Sequence, residues 1–167
     1  MKSTFGVSEQ PFGESSRLLA YSAVVDGHKY LKTRNLGDFS TRELETDSQS
    51  SAPVVSDETI LVCHYGAHKV TLYDSLLHVL SEVDLGKELI PFYAIFSSKE
   101  EFAYVFALRS ANDKVSGKCV IRYAHEGTRL TNPRSLDVEA VGKLGEYGDS
   151  AFLLSDHGCQ KLDFPDK

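Results

Sequence analysis

The sequence lacks any long hydrophobic run, and this shortage excludes a predicted membrane-spanning helix. Its wholly apolar stretches extend for only a few residues, whereas a helix needs about 20 to cross a bilayer. The first 16 residues, MKSTFGVSEQPFGESS, contain no apolar core followed by small cleavage-site residues, so they do not resemble a secretory signal. We therefore expect a soluble, cytoplasmic protein that makes no membrane contact.

Cysteine is also scarce. Cys63, Cys119 and Cys159 are odd in number and share no short spacing, which argues against a disulfide framework and against a CxxC redox or zinc pair. We expect three reduced thiols, most of them packed inside. The chain has no P-loop, no dinucleotide fingerprint and no G-x-S-x-G nucleophile motif, so the motifs predict no catalytic residue and no cofactor.

Basic residues are outnumbered, since 18 Lys and Arg stand against 24 Asp and Glu, for a net charge of −6. Phosphate backbones would be repelled unless the basic side chains were gathered on one face. No such gathering is visible in the sequence. The charge therefore predicts a basic protein partner rather than nucleic acid, although a modest acidic excess is also common on solvated surfaces.

Hydrophobic residues recur in four segments of similar order. Each has an apolar run, a glycine-containing turn (Gly27, Gly66, Gly117, Gly158) and a second run. Glycine suits such turns because a tight hairpin requires positive φ at a central residue. The apolar runs start near residues 17, 59, 102 and 151, which are 42, 43 and 49 residues apart.

The runs predict strands. The first runs show little alternation, as expected for strands covered on both faces, whereas KVTLYD at 69–74 alternates like a half-buried strand. A further extended element is expected after the second run, within 42–47, 77–86 and 134–142, and one more strand is expected before the third and fourth apolar runs, within 88–97 and 141–147. The polar segment 35–58 is interpreted as a surface loop, either an acidic binding loop or a solvated connection.

A period near 42 with four strands per unit resembles the β-propeller superfamily, in the manner of WD-repeat-like blades. No Trp-Asp dipeptide ends a third strand, and the nearest equivalents are LYD at 72–74 and LETD at 44–47. The resemblance implies one all-β domain over residues 1–167, a ring of about four four-stranded antiparallel blades. Pairing residues 3–9 with the last three strands would complete the ring. The alternative is a β-sandwich or barrel.

Several polar residues are predicted at the turns that join second and third strands, which would all lie on one face of such a ring. Histidines are prominent among them (His28, His64, His68, His157). The grouping of Cys63, His64 and His68 is no recognised metal motif, and no metal site is predicted. The candidate partner-binding residues are Asp26, His28, Tyr65, His68, Asp113 and Asp156.

Three functions are compatible with these patterns. The first is a non-enzymatic binding module that receives a basic protein, for example an acidic immunity or antitoxin-type inhibitor of a nuclease toxin. The second is a structural scaffold that forms a homodimeric ring. The third is a hydrolase or lyase that uses histidines and carboxylates in a central channel.

Overall fold

The structure, a computed structural model, describes residues 12–99 and 101–164. This part of the chain consists of strands and connections. Within it, no helix has the length and hydropathy that crossing a bilayer requires. Fifteen strands form four antiparallel sheets, and in each sheet the strands lie side by side in chain order.

The strand boundaries follow the repeating pattern of the sequence. The first sheet contains β1 (Phe12–Glu14), β2 (Leu18–Val25), β3 (His28–Asn35) and β4 (Thr41–Thr46). The second contains β5 (Val54–Ser56), β6 (Thr59–His64), β7 (Lys69–Tyr73) and β8 (Val79–Asp84). The third contains β9 (Leu89–Phe96), β10 (Phe102–Ala111), β11 (Lys114–Glu126) and β12 (Arg129–Val138). The fourth contains β13 (Lys143–Tyr147), β14 (Ser150–Ser155) and β15 (Gly158–Leu162).

The prediction of an all-β fold made of repeated antiparallel units is confirmed. The second strands begin at Leu18, Thr59, Phe102 and Ser150, each within one residue of the start of an apolar run. The strand expected within 42–47 is present as β4, an outer-edge strand of which all but the last residue are exposed. The interpretation of the whole segment 35–58 as a loop is wrong, because β4 and β5 lie inside it. The proposed strand at residues 3–9 lies outside the described residues.

Successive sheets pack face to face through three hydrophobic clusters. Leu18 and Ala20 of the first sheet pack with Ile60 and Val62 of the second. The second and third sheets share a cluster around Leu72 and Val105, and the third and fourth share one around Phe106 and Leu153. The first strands of the four sheets also contact one another in order. The sheets thus radiate from a common inner side, as blades do.

The two ends of the series of sheets share no hydrophobic cluster in the part of the chain that the structure describes. Among residues 12–99 and 101–164, the second and third sheets therefore pack against a neighbour on both faces, and the first and fourth sheets on one face.

Candidate functional site: the upper edge of the sheets

One edge of the molecule collects the turns that follow the four apolar runs. We call it the upper edge. It contains the turns between second and third strands (26–27, 65–68, 112–113, 156–157) and the connections between successive sheets (47–53, 85–88, 139–142). Backbone hydrogen bonds tie these segments together: the Leu85 amide donates to the His68 carbonyl, and the Ser110 amide donates to the Glu88 carbonyl, both at 2.8 Å. The turn predicted at Gly117 is misplaced, because Gly117 pairs with Arg109 within β11 and the chain turns at residues 112–113 instead.

The upper edge is acidic. Its turns and connections carry six carboxylates and one lysine, Lys87. The carboxylates are those of Asp26, Asp47, Glu88, Asp113, Glu139 and Asp156. Asp47 bonds to a histidine, but the other five are exposed and make no hydrogen bond or ion pair with any described residue. These five extend from the first sheet to the fourth, and cationic side chains lie near two of them: Arg109 interacts electrostatically with Glu88, and the Lys118 ammonium donates to the Glu139 carbonyl. The edge therefore presents a row of carboxylates that form no direct ion pair.

The lower edge, at the other ends of the strands, carries a similar number of acidic residues. Most of these form hydrogen bonds or ion pairs with neighbouring residues. Asp74 accepts hydrogen bonds from the Leu76 and His78 amides at 2.9 Å, and Asp38 accepts one from the Ser40 amide at 2.9 Å. Asp149 pairs with Lys99, and Glu58 lies 3.8 Å from Arg17. Pairing, not the number of acids, therefore distinguishes the two edges.

Turn chemistry explains where the aspartates are, but not why they are charged. Asp26 and Asp113 have φ values of 53° and 60°, in the left-handed region that Asp and Asn tolerate better than most residues. Asn112, beside Asp113, has a φ of 52°, so an uncharged amide fits the same conformation. The turns consequently require a small polar side chain, but they do not require that side chain to be charged.

The histidines and Tyr65 of the upper edge are held by their neighbours. His28 Nδ1 lies 2.8 Å from Glu45 Oε2, and His68 Nδ1 donates to the Leu89 carbonyl at 2.8 Å. Tyr65 is half-buried because its ring stacks on Phe92 of the next sheet, with centroids 5.7 Å apart. The described residues contain no group of three or more side chains placed to hold a metal ion.

A buried relay lies beneath the edge, and sequence reasoning missed it. His64 Nδ1 lies 2.9 Å from Asp47 Oδ2, and the Tyr73 hydroxyl lies 3.4 Å from His64 Nε2. In the neutral tautomer that suits both contacts, Nδ1–H donates to the carboxylate and Nε2 accepts from the hydroxyl. His64 is only 7% exposed, so this relay ties the 47–53 connection to the second sheet rather than meeting a substrate.

A shallow recess of about 440 Å³ opens on the upper edge at the fourth sheet. Glu139, His157 and Cys159 are among the residues that line it. The structure thus brings all six predicted residues to one edge, distributed over four sheets, without gathering them into one pocket. Glu88 and Glu139 were missed by sequence reasoning, although in an antiparallel meander the connections between sheets end on the same edge as those turns.

Comparisons with known proteins support the fold alone. No protein-family model and no curated protein matches the chain. Among solved structures, the chain is similar to the acylaminoacyl peptidase of Pyrococcus horikoshii, with a TM-score of 0.52 and 13% sequence identity. The likeness covers 96% of this chain and 32% of that one, so this chain spans about a third of its length.

Proposed function

We propose that this protein is a non-enzymatic, cytoplasmic binding module that holds a basic protein against its upper edge. The observation that carries the proposal is the row of five unpaired carboxylates, Asp26, Glu88, Asp113, Glu139 and Asp156. Charge of one sign along an edge attracts a partner of opposite charge and raises the rate of association. Carboxylates that served only the turns would form local hydrogen bonds, as those of the lower edge do.

The partner that fits is a small protein with a basic face, such as a nuclease toxin that this chain inhibits. A nuclease must itself attract phosphate, so its active face is rich in Lys and Arg. The exposed carboxylates would occupy that face, and the recess at Glu139 and His157 would receive a long basic side chain. Tyr65 and Phe92, stacked and partly exposed, would add apolar contact.

A hydrolase or lyase activity has less support. The upper-edge carboxylates lie on different sheets, and His64, the partner of the exposed Asp47, is buried. Ser155, Asp156 and His157 occupy one turn, where the His157 backbone amide donates to Ser155 Oγ at 3.2 Å. That contact shapes the turn and does not activate the serine. Likeness to a peptidase at 13% identity adds nothing to this alternative.

Replacing Asp26, Asp113 and Asp156 together by Asn tests the proposal, because Asn keeps the turn conformations and removes three charges. Purified protein is first used as bait in lysate at low and moderate salt, and the retained protein is identified and purified. Calorimetry should then show that the triple variant binds it about tenfold or more weakly, with the difference shrinking as salt rises.

The matched control removes three charges from the other side: Asp57→Asn, Glu101→Gln and Glu126→Gln, none of which forms an ion pair with a described residue. Asp57 also occupies a turn with positive φ, 52°. Binding within about twofold of the original is expected for this control. Equal losses of affinity in both triple variants would show that net charge, and not the upper edge, governs binding. If the bait column retains no protein, the proposal of a basic protein partner is contradicted.

A further inference from the structure

The third sheet carries two arginines side by side on the face that packs against the fourth sheet. The register pairs Arg122 of β11 directly with Arg134 of β12. Arg122 lies two residues from Val120, which belongs to the cluster between these sheets, so both arginines lie on the side that faces the fourth sheet. Like charges directly opposite each other on neighbouring strands are destabilising. The pair is therefore unfavourable unless an anion compensates it.

Neither guanidinium has such an anion among the described residues. The Arg122 guanidinium forms no hydrogen bond or ion pair with them, and that of Arg134 forms one hydrogen bond, in which Nη1 donates to the Pro133 carbonyl at 3.0 Å. Arg134 Nε is buried and has no hydrogen-bond partner there. Because each guanidinium has five N–H donors, the two side chains leave most of their donors unused.

Two acidic residues lie near Arg122 without pairing with it. Glu146 and Glu101 act electrostatically on the Tyr104 hydroxyl. Arg122 acts on the same hydroxyl, so these groups share one neighbourhood. Glu146 is buried and accepts a hydrogen bond from the Ser98 amide at 2.6 Å, whereas Glu101 is exposed. The described part of the chain thus supplies the arginine pair with no direct anionic partner.

Aromatic rings hold the Arg122 side chain in place. Its guanidinium carbon lies 4.6 Å from the centroid of the Phe102 ring and 5.2 Å from that of the Phe164 ring. Rings that cover the face of a guanidinium leave the N–H donors at its rim available. The stacking therefore preorganises the planar fork with which arginine binds a phosphate or a carboxylate through two parallel hydrogen bonds.

A bulge in β12 adds a hydroxyl to the same face. Two residues after Arg122 on β11, Ala124 pairs with Thr131, so β12 has one extra residue between Thr131 and Arg134. In a regular strand, residues three positions apart would point to opposite faces, but the bulge places these two on the same face. Thr131 Oγ1 is buried and has no hydrogen-bond partner in the described structure. Three side chains with unused donors therefore lie together.

This group is accessible from the outer side of the sheets. β12 is the fourth strand of its sheet counted from the innermost strand β9, whereas the fourth sheet has three strands among the described residues. No described strand of the fourth sheet therefore stands opposite β12. Both arginines are partly exposed, so a ligand from solvent can reach them.

We propose that Arg122, Arg134 and Thr131 form a binding site for the phosphate group of a small phosphorylated ligand. A phosphate monoester carries a charge of about −1.5 to −2 at pH 7, which matches two guanidinium charges better than a single carboxylate does. Its oxygens accept hydrogen bonds from both arginines and from the hydroxyl. The site lies in the lower half of the third sheet, away from the upper-edge carboxylates, and it does not depend on the proposed basic partner.

Titration with phosphoserine tests the site, with serine as the matched ligand that lacks the phosphate. NMR should show saturable shifts of the Arg122 and Arg134 Nε–H signals, with a Kd at or below about 1 mM, and serine should shift neither signal. Affinity for phosphoserine should fall about tenfold between about pH 7.5 and pH 5, because the monoester loses one negative charge below its second pKa of about 6.

Substitutions identify the residues. Arg122→Gln should weaken phosphoserine binding about tenfold or more, and Thr131→Val about threefold. Arg122→Lys keeps the charge but loses the planar fork, so an intermediate loss is expected. Arg42→Gln removes an exposed arginine of β4 and should change the affinity by less than about twofold. Should Arg122→Gln fail to fold, the arginine signals of the original protein and the Thr131→Val variant still decide the question.

Three results would overturn the site: no saturable shift up to about 50 mM phosphoserine, equal shifts with serine, or unchanged affinity in a folded Arg122→Gln. Asp166 follows Phe164 by two positions in the sequence, so its carboxylate is the alternative ligand within the chain. Asp166→Asn should bind phosphoserine as the original protein does. Binding that appears only in this variant would show that the carboxylate takes the place of the phosphate, and this also contradicts the proposal.

Discussion

At the residue scale, burial separates three cysteines that look alike in the sequence. Cys63 and Cys119 lie in the cluster between the second and third sheets, and Cys159 is exposed on β15. Burial raises the pKa of Cys63 to about 12 and raises that of Cys119 as well. The expectation of mostly packed thiols is therefore met by two of the three.

This difference predicts selective chemistry. A thiol reagent at pH 8 and low protein concentration should label one cysteine per folded chain, because the thiolate is the reactive form and the buried thiols remain protonated. Ellman's assay should count three thiols after denaturation. Cys159→Ser should abolish the labelling of the folded protein. Rapid labelling of that variant would show that Cys63 or Cys119 reaches solvent.

At the element scale, the burial of a strand's two faces depends on which sheets pack against them. The alternation in β7 predicts a half-buried strand with Thr71 and Tyr73 on the open side, and this is wrong. Both residues are buried, 1% and 5% exposed, because the first sheet covers that face. Tyr104 and Phe106, in the apolar strand β10, are buried, 5% and 2% exposed.

The innermost strands approach so closely that one glycine is needed. A Cβ on Gly13 of β1 would lie 2.6 Å from Val55 Cγ2 and 2.9 Å from the Pro53 carbonyl oxygen. Gly13→Ala should therefore lower the free energy of unfolding by about 1–3 kcal/mol, through backbone displacement between the first two sheets. Urea titration followed by circular dichroism measures this change.

Gly117→Ala is the matched control within a strand. Its Cβ would meet nothing closer than the Arg109 side chain at 3.7 Å, and its φ lies outside the left-handed region. Stability equal to the original, or higher by up to about 1 kcal/mol, is expected because alanine restricts the unfolded chain. If Gly13→Ala and Gly117→Ala lower the free energy of unfolding equally, the close approach of β1 to β5 does not explain why glycine is needed at position 13.

At the scale of the whole molecule, each packed interface contains one buried tyrosine. Tyr73 lies between the first and second sheets, Tyr123 between the second and third, and Tyr104 between the third and fourth. Burial raises the pKa of all three hydroxyls above the ordinary value of 10.0. The interfaces therefore favour the protonated form of the three tyrosine hydroxyls, and burial likewise favours the neutral thiol of Cys63.

This arrangement predicts alkaline instability. Below about pH 7.5 these groups are protonated in both states and the stability is fully present. As pH rises from about 8 toward 12, the unfolded chain loses the cysteine proton first and the tyrosine protons next, so the free energy of unfolding falls by up to about 1.4 kcal/mol per pH unit for each group. Urea titrations between about pH 7 and pH 11 measure the slope.

Tyr123→Phe should make the alkaline slope shallower by removing one such group, whereas Tyr147→Phe, at an exposed position, serves as the control. If the free energy of unfolding of Tyr123→Phe falls with pH as steeply as that of the original protein, the buried Tyr123 hydroxyl does not cause the alkaline loss of stability. A flat profile up to about pH 11 in the original protein would contradict the prediction as a whole.

The sequence by itself determined the strand content, the positions of the second strands and the four turns that share an edge. These properties are local, since apolar periodicity and turn residues act within a few positions of one another. It also placed Asp26, Asp113 and Asp156 on that edge. It could not show that Asp47 is paired with His64 while those three are free, because partners 17 residues apart meet only when strands align.

Only the tertiary structure decides whether the four described sheets close into a ring. Closure depends on how far each sheet rotates against the next, and that angle follows from the packing of side chains between sheets, not from the period along the chain. The apolar composition of β2 and β14 indicates strands that are packed on both faces. It does not identify the group that packs against the second face. In the described part of the chain, the first and fourth sheets share no packed cluster, and the outward sides of β2 and β14 remain partly exposed.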